Sequence, residues 1–180
     1  MSPNPTSETL LHAQEIEARL DAMAEAAAQR MSQSDPREWA IVGVRRGGAV
    51  VAQRLAERLK SRFGLTPVMG YLDITFYRDD LDSAGPNPVL EGTELDFDLD
   101  VRRILLVDDV LYTGRTIRAG LNALFDYGRP LEVALAVLVD RGQRQLPIQA
   151  DICGVKLETA ANERIKLIGD PGGGLRVVRK

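Results

Sequence analysis

Two adjacent aspartates, followed shortly by two threonines, are the residues of this chain best suited to chemistry. Asp108 and Asp109 come directly after the apolar run Ile104–Val107, which predicts a strand buried on both faces. Thr113 and Thr116 then bring hydroxyl groups to the predicted start of a helix. Because the first turn of a helix has unpaired N–H groups and a partial positive charge, amides and hydroxyls there can bind a phosphate. The segment therefore predicts an anion site at the end of a strand.

The composition of this loop narrows the choice of anion. It contains no lysine, unlike the Gly-Lys-Ser/Thr turn of nucleotide triphosphatases, and the Gly-x-Gly-x-x-Gly pattern of dinucleotide-binding folds is missing as well. Gly114 allows a tight turn or a close approach of the backbone to a ligand. Two carboxylates beside a phosphate would repel it unless they accept hydrogen bonds from hydroxyls or face a divalent cation. A ribose 5-phosphate offers such hydroxyls, so a sugar phosphate is predicted.

The segment VDDVLYTGRT, within residues 104–116, resembles the phosphoribosyl pyrophosphate (PRPP) motif of type I phosphoribosyltransferases. The sequence of this segment is most similar to that of the PyrR family of bifunctional pyrimidine operon regulators and uracil phosphoribosyltransferases. Three further segments resemble that family in the same order, namely IVGVRRGG at Ile41–Gly48, DITFYRDDL at Asp73–Leu81 and LAVLVDRGQRQLPI at Leu135–Ile148. Four ordered segments argue against a chance match, which is common for one short motif. The resemblance covers roughly Trp39 to Cys153.

The resemblance implies an activity, a cofactor and a fold. The enzyme would transfer the ribosyl group of PRPP to uracil and release UMP and pyrophosphate. Mg²⁺ would bridge pyrophosphate and the ribose hydroxyls, bound mainly through the substrate, with Asp108 and Asp109 as further candidate ligands. The fold would be the α/β type I phosphoribosyltransferase fold, a central, mostly parallel sheet flanked by helices, with a flexible lid loop. A transferase for a purine or orotate and a PRPP-binding regulator with little turnover are the alternatives.

The resemblance also assigns roles to residues of the site. Asp108 and Asp109 would be the catalytic pair and hold the ribose hydroxyls. The 5-phosphate would be bound by Val110, Leu111, Tyr112, Thr113, Gly114, Arg115 and Thr116, the pyrophosphate by Val44, Arg45, Arg46, Gly47 and Arg78, and the base by Val139, Asp140 and Arg141. The two guanidiniums of the arginine turn, residues 44–47, suit a leaving group whose charge grows as its bond breaks. In the resembled family this turn often contains an unusual strained peptide bond.

The acidic excursion, residues 78–101, is the longest polar stretch of the chain. After Arg78 it carries eight acidic residues and no further lysine or arginine, interrupted by glycine and proline. Such a stretch inside a compact domain is typically a lid or a mobile loop, and its prolines argue against a helix. The resemblance favours a lid that closes over PRPP and excludes water. A mobile acidic surface loop is the alternative.

Alternating apolar and amphipathic segments predict the elements that position these residues. The predicted order is a helix at Ser7–Ser32, a strand at Trp39–Val44, a helix at Gly47–Arg62, a strand at Thr66–Tyr77, the motif strand with its helix, and strands at Leu131–Val139 and Asp151–Val155. This alternation is typical of an α/β fold with a largely parallel sheet. With 180 residues, 44% of them hydrophobic, the chain is expected to form a single domain over residues 1–180.

Two rare residue types exclude several kinds of site. The single histidine, His12, lies in the predicted first helix, so a Ser-His-Asp triad is disfavoured and a multi-histidine metal centre is impossible. The single cysteine, Cys153, cannot form an internal disulfide or a zinc cluster and is interpreted as a buried structural thiol. Because no apolar run could span a bilayer and the N-terminus lacks a signal-peptide pattern, a cytoplasmic protein without membrane contact is expected.

The resemblance further implies two macromolecular partners, the leader RNA of a pyrimidine operon and a second subunit in a homodimer or higher oligomer. The chain's net charge of −3 weakens the first expectation, because RNA binding needs cationic surface. Gln149 and Val155 stand where family members tend to carry basic residues. The remaining candidate RNA contacts are Arg144, Lys156, Arg164 and Lys166. The apolar positions Ile16, Leu20 and Met23 could pack in the core or against a second subunit.

Overall fold

The computed structural model describes residues 8–77, 92–160, 163–169 and 173–179 of the chain. Strands and helices alternate along these residues, as expected from the sequence. Their bounds are β1 Glu8–Leu11, α1 Ala13–Met31, β2 Trp39–Val44, α2 Gly47–Phe63, β3 Val68–Leu72, β4 Arg103–Leu111, α3 Arg115–Tyr127, β5 Glu132–Asp140, β6 Ile152–Lys156, β7 Ile165–Gly169 and β8 Leu175–Arg179. None of these helices is long and apolar enough to cross a membrane.

Five strands form one parallel sheet in the order β3-β2-β4-β5-β6. β4 lies at its centre, since Val107 pairs with Gly43 of β2 and Leu111 pairs with Asp140 of β5. In a parallel sheet the carboxyl ends of neighbouring strands meet at one edge, where ligands bind in open α/β folds. The loops that follow β2, β4 and β5 therefore leave the sheet side by side, and the described site residues lie in these loops or in the last residues of the three strands.

Helices cover both faces of this sheet. α1 and α2 pack on one face, where Ile16, Leu20 and Leu55 are fully buried, and α3 packs on the other through Ile117 and Leu124. Every residue of β2 is buried, as expected for a strand between two helical layers. The apolar stripe of α1, for which the sequence left two interpretations, thus packs in the core of a single chain.

A second, antiparallel sheet in the order β1-β8-β7 corrects the prediction for the N-terminal helix. Glu8–Leu11 is a strand that pairs with β8, so α1 begins at Ala13 rather than at Ser7. The Glu15 carboxylate accepts a hydrogen bond from the backbone N–H of His12 at 2.9 Å and so caps the N-terminus of the helix. β7 and β8 lie outside the predicted elements.

Two further element boundaries differ from the predictions. β3 ends at Leu72, because the Asp73 carboxylate accepts the N–H of Thr75 at 2.9 Å and its hydroxyl at 2.5 Å, and the chain turns there. The predicted strand to Tyr77 is therefore too long. β4 continues past Val107 to Leu111, so both aspartates of the motif belong to the strand rather than follow it.

The edge of the sheet at which the strands begin is held by a network of ion pairs. Glu132 of β5 accepts hydrogen bonds from Arg30 of α1 at 2.6 Å and from Arg103 of β4 at 2.7 Å. Arg103 also lies 3.2 Å from Glu38. The hydrogen bond from Arg30, assisted by Arg103, holds the pKa of the Glu132 carboxyl below its ordinary value although burial opposes the shift. The network ties α1 to two central strands.

The single cysteine is less buried than predicted. Cys153 lies in β6 with intermediate exposure, and its Sγ is 3.3 Å from the carbonyl oxygen of Val155. Burial raises the pKa of its thiol, which therefore stays protonated at neutral pH. The thiol packs against the hydrophobic core, so its structural role is confirmed although it is only partly buried.

Candidate active site

The aspartate pair lies near the carboxyl end of the central strand, and backbone N–H groups hold both carboxylates. Asp108 is 4% exposed, and its Oδ1 accepts the N–H of Asp109 at 2.9 Å. Asp109 is half-buried, and its Oδ1 accepts the N–H of Val110 at 3.0 Å. These bonds restrict rotation of the two side chains. The strand therefore presents two acceptors of hydroxyl hydrogen bonds in a fixed arrangement.

The first turn of α2 packs directly against this strand end. A Cβ atom on Gly47 would lie 2.2 Å from Oδ2 of Asp109, and a Cβ atom on Gly48 would lie 2.4 Å from the carbonyl oxygen of Val107. Both distances are shorter than a van der Waals contact, so only glycine fits at these two positions. The arginine turn and the aspartate pair, which were predicted from separate segments, are thus brought together.

The two arginines of the arginine turn have different surroundings. The peptide bond between Arg45 and Arg46 is cis, which agrees with the unusual bond expected from the resemblance. A nitrogen of the Arg45 guanidinium lies 2.6 Å from the Glu94 carboxylate, and the guanidinium carbon lies 5.1 Å from the centre of the Tyr71 ring. Arg46 is exposed. Arg45 therefore contacts Glu94 and Tyr71, and Arg46 is the more exposed of the two arginines.

The described end of the acidic excursion is anchored to β3. Tyr71 and Glu94 exchange two backbone hydrogen bonds, each of 2.8 Å. Together with the Arg45–Glu94 ion pair, these bonds attach the end of the excursion to the arginine turn. Residues 78–91, which include Arg78 and most of the predicted lid, lie outside the described residues.

The loop of the PRPP motif turns into α3 at Gly114, which has a φ of +93°. This backbone conformation favours glycine because it strains residues with a side chain. Arg115 begins the helix, and its N–H points to Oγ1 of Thr113 at 3.3 Å. Thr113 and Thr116 are half-buried, and Arg115 is exposed. The loop thus combines a helix start with two hydroxyl groups, as expected for a phosphate site.

Three of the predicted binding residues have their side chains in the core. Val44, Leu111 and Val139 are each at most 1% exposed. Since apolar side chains in such positions pack against other core residues, only the backbone groups of these three residues could contact a ligand. The side-chain chemistry of the site must come from their polar neighbours.

The base segment, residues 139–142, comprises the last two residues of β5 and the turn after it, and it contacts the PRPP-motif loop. Arg141 is 5% exposed, and its guanidinium carbon lies 3.8 Å from the centre of the Tyr112 ring. The same guanidinium donates to the carbonyl oxygens of Ala160 at 3.1 Å and Glu163 at 2.8 Å. It therefore joins the two loops to the segment before β7. That Arg141 also contacts a base stays a prediction.

The carboxylate of Asp140, the last residue of β5, is held by hydrogen bonds from the turn that follows. It accepts hydrogen bonds from Arg144 at 2.6 Å and from the N–H of Gly142 at 2.9 Å. Burial raises the pKa of the Asp140 carboxyl, but these two hydrogen bonds and the positive charges of Arg144 and Lys156 together lower it by more, and the net shift is downward. Asp140 is thus an ionised acceptor at neutral pH.

The carboxylates of the site suit only one kind of metal binding. In the described part of the chain, no cluster of three or more histidine, cysteine, aspartate or glutamate side chains could hold a metal ion. Asp108 and Asp109 supply two carboxylates. Mg²⁺ commonly binds to one or two carboxylates together with water and substrate phosphates. These two carboxylates therefore fit a magnesium ion that is bound mainly by the substrate of the protein.

Sequence reasoning missed the structural roles of Glu94 and Arg144. Glu94 is one of eight acidic residues in its segment, and nothing in their spacing distinguishes the one that contacts the arginine turn. Arg144 is a predicted RNA contact, yet in the structure its guanidinium binds groups of the same domain. The one available signal was its position within the segment LAVLVDRGQRQLPI.

Comparison with known proteins identifies the family of this chain. A model of the phosphoribosyl transferase domain family matches residues 11–169. The bifunctional protein PyrR of Roseiflexus sp. (strain RS-1) is 48% identical over 156 residues, which are 87% of this chain and 84% of that protein. The bifunctional protein PyrR of Deinococcus radiodurans is 47% identical over 159 residues, or 88% and 86% of the two chains.

Solved structures share the fold at low sequence identity. The hypoxanthine phosphoribosyltransferase of Trypanosoma cruzi superposes with a TM-score of 0.71 at 19% identity and covers 96% of each chain. A hypoxanthine-guanine phosphoribosyltransferase from Bacillus anthracis gives a TM-score of 0.67 at 16% identity, over 94% of this chain and 96% of that one. These similarities confirm the type I phosphoribosyltransferase fold. With the family model and the PyrR relatives, they show that the chain belongs to the PyrR family of phosphoribosyltransferases.

Proposed function

We propose that this protein transfers the ribosyl group of PRPP to a nitrogen of uracil, forming UMP and pyrophosphate. The observation that carries the proposal is the meeting of the aspartate pair, the glycine-led start of α3 and the arginine turn at one edge of the sheet. Each supplies groups for one part of PRPP, namely the ribose hydroxyls, the 5-phosphate and the pyrophosphate. The choice of uracil rests on the resemblance and on the relationship to PyrR proteins.

The reaction requires positioning and charge stabilisation rather than a covalent nucleophile. As pyrophosphate leaves the anomeric carbon, positive charge develops on the ribose ring, and the uracil nitrogen forms the new bond and releases its proton to water. Asp108 and Asp109 would accept hydrogen bonds from the ribose hydroxyls and stabilise this charge as anions. Their backbone hydrogen bonds hold them in place before the substrate binds, which reduces the cost of orientation.

The 5-phosphate would bind at the start of α3. The hydroxyls of Thr113 and Thr116 and the backbone N–H groups between them offer donors to its oxygens. Both threonines are half-buried, so these donors are partly shielded from water. Because the helix start itself provides positive potential, the absence of a lysine from this loop is consistent with binding of a phosphate monoester.

The arginine turn would bind the pyrophosphate, with the exposed guanidinium of Arg46 as one of its contacts. Arg46 is exposed and directly precedes Gly47, whose backbone lies against Asp109. Arg45 is held by Glu94 and Tyr71 and would serve chiefly to fix the turn. An exposed guanidinium can form two parallel hydrogen bonds with phosphate oxygens, which suits a leaving group that gains charge.

Mg²⁺ fits this site as an ion bound mainly through PRPP. Asp108 and Asp109 are the described side chains that would hold it, directly or through water. When bound, the ion would neutralise negative charge on the departing pyrophosphate. The protein would contribute the fixed position of the two carboxylates.

Incubation of the protein with PRPP, uracil and Mg²⁺ is expected to yield UMP and one pyrophosphate per UMP, measured with labelled PRPP. Orotate, hypoxanthine and guanine are tested in parallel as competing bases. Turnover with one of these bases but not with uracil would replace the assigned base and keep the transferase. Binding of PRPP without pyrophosphate release would instead support a regulator that has lost turnover.

We further propose that the protein binds pyrimidine operon leader RNA in the presence of UMP. A second activity is favoured because both relatives at 47–48% identity carry the name bifunctional protein PyrR. Lys156, Arg164 and Lys166 are exposed near the end of β6 and the start of β7, and they could neutralise RNA phosphates. Arg144 is engaged inside the domain and is a weaker candidate than these three residues.

A gel-shift experiment with the cognate leader is expected to show a complex that UMP strengthens. Replacement of Lys156, Arg164 and Lys166 together by glutamine should abolish the shift, because most of the affinity for RNA comes from phosphate contacts. The same variant should retain turnover of PRPP, since none of the three belongs to the site. Absence of a shift by the unchanged protein at low salt would reject the RNA proposal.

A further inference from the structure

The guanidinium of Arg144 connects three segments of the site. Its Nη1 donates to the carbonyl oxygen of Tyr112 at 2.8 Å and to that of Gly142 at 3.2 Å. Its Nη2 donates to the Asp140 carboxylate at 2.6 Å, and its Nε to the carbonyl oxygen of Ile148 at 2.8 Å. All three nitrogens therefore have acceptors, and the side chain is only 21% exposed.

These acceptors belong to parts of the protein with different proposed roles. Tyr112 lies in the loop that would bind the 5-phosphate, whereas Asp140 and Gly142 lie in the segment that would contact the base. Ile148 packs beneath the first of these loops, because its Cβ would be 3.4 Å from a Cβ placed on Gly114. One side chain thus spans the distance between the 5-phosphate loop and the base segment.

Backbone hydrogen bonds reinforce the same connection from the residues next to Arg144. The carbonyl oxygen of Thr113 accepts the N–H of Gln145 at 2.9 Å and that of Leu146 at 3.1 Å. The Gln145 side chain also accepts a hydrogen bond from Arg115 at 2.9 Å. The residues that follow the base segment therefore lie along the whole 5-phosphate loop, with Arg144 at the point where the two meet.

We propose that Arg144 is a positioning residue that sets the spacing between the 5-phosphate subsite and the base subsite. The inference rests on the proposed function, in which a nucleotide occupies both subsites at once. A planar guanidinium with donors in fixed directions can hold acceptors on separate segments, which a lysine ammonium on a flexible stem cannot do. A ligand that spans both subsites depends on their spacing, whereas a ligand that occupies one does not.

The experiment compares a spanning ligand with a fragment of it in the variant Arg144→Gln. UMP occupies the 5-phosphate, ribose and base positions, whereas ribose 5-phosphate leaves the base subsite empty. Calorimetry or NMR titration measures both affinities. The variant is expected to bind UMP at least about 10-fold more weakly, because small displacements of a bound group are costly. Its affinity for ribose 5-phosphate should change by less than about threefold. Equal weakening of both ligands, or no weakening of UMP, would overturn the proposal.

A matched control separates positioning from general stability. Arg58 is 14% exposed, and its guanidinium also donates to several acceptors, but these lie on the helices α1 and α2. They are the carboxylate of Asp21 at 2.8 Å, the carbonyl oxygen of Arg54 at 3.1 Å and the carboxylate of Glu17. Arg58→Gln should lower the thermal stability and leave the ratio of UMP to ribose 5-phosphate affinity unchanged. A change of that ratio equal to that of Arg144→Gln would contradict the proposal.

A second substitution covers the case in which Arg144→Gln does not fold. Arg144→Lys keeps the charge and can replace only part of the hydrogen bonds, so it should fold and show an intermediate loss of UMP affinity. Full UMP affinity in Arg144→Lys would overturn the proposal. If the unchanged protein converts another base than uracil, the mononucleotide of that base replaces UMP, so that failure of the uracil assignment and failure of the Arg144 proposal remain distinguishable.

Discussion

Replacement of Asp109 by asparagine is expected to lower the turnover number by about 10²–10³-fold, since removal of one preorganised charge-stabilising group typically costs this much. The asparagine side chain has the same shape, and its oxygen can still accept the N–H of Val110. It lacks the negative charge that would stabilise the developing positive charge on the ribose. Pyrophosphate release under saturating PRPP and uracil measures the effect.

Thermal unfolding serves as the control for Asp109→Asn. Because Asp109 is half-buried and keeps its backbone hydrogen bond in the variant, the midpoint of unfolding should change little. An unchanged turnover number in a folded variant would remove Asp109 from the catalytic pair. A lower affinity for PRPP with full turnover would assign it to ground-state binding alone.

Replacement of Gly47 by alanine is expected to lower turnover by about 10–100-fold, because a displacement of roughly 1 Å at a reacting site can cost two orders of magnitude. The new Cβ atom would lie 2.2 Å from Oδ2 of Asp109, so the carboxylate or the arginine turn must move. The effect is steric, since alanine is otherwise well suited to the first turn of a helix. Steady-state rates with PRPP and uracil measure it.

Two comparisons test the cause of the Gly47→Ala effect. Gly169→Ala is the matched control, because a Cβ atom there meets no atom within 4 Å, and its turnover should equal that of the unchanged protein. The double variant Gly47→Ala with Asp109→Asn should be about as slow as Asp109→Asn alone if the alanine acts through Asp109. Multiplied effects in the double variant would instead indicate an independent action on the pyrophosphate subsite.

The elements that carry the site could be predicted because their sequences are strongly patterned. β2 and α2 begin at the predicted residues, Trp39 and Gly47, since a wholly apolar run and two glycines mark these starts. β7 and β8 are not predicted from the sequence, because each is only five residues long and mixes charged with apolar residues. Glu8–Leu11 was assigned to the helix since its pairing partner, β8, lies at the other end of the chain.

The site itself could be predicted in outline but not in its internal contacts. The types and order of residues in the PRPP motif suffice to predict a phosphate loop, because helix-start chemistry is local. The engagement of Arg45 by Glu94 and of Arg144 by Tyr112 depends on contacts between segments far apart in the chain. A sequence alone does not reveal which of several arginines is exposed. Arg144 is for this reason a predicted RNA contact, although its guanidinium is engaged within the domain.

The Glu132 network and the three loops of the site occupy opposite edges of the same sheet. Arg103 and Glu132 lie side by side where β4 and β5 begin, whereas Asp109 and Asp140 lie where these strands end. Because the free-energy effects of distant substitutions are usually additive, changes at one edge leave the other nearly unaffected. Substitutions in the Glu132 network are therefore expected to change the stability of the protein while leaving the opposite edge of the sheet nearly unchanged.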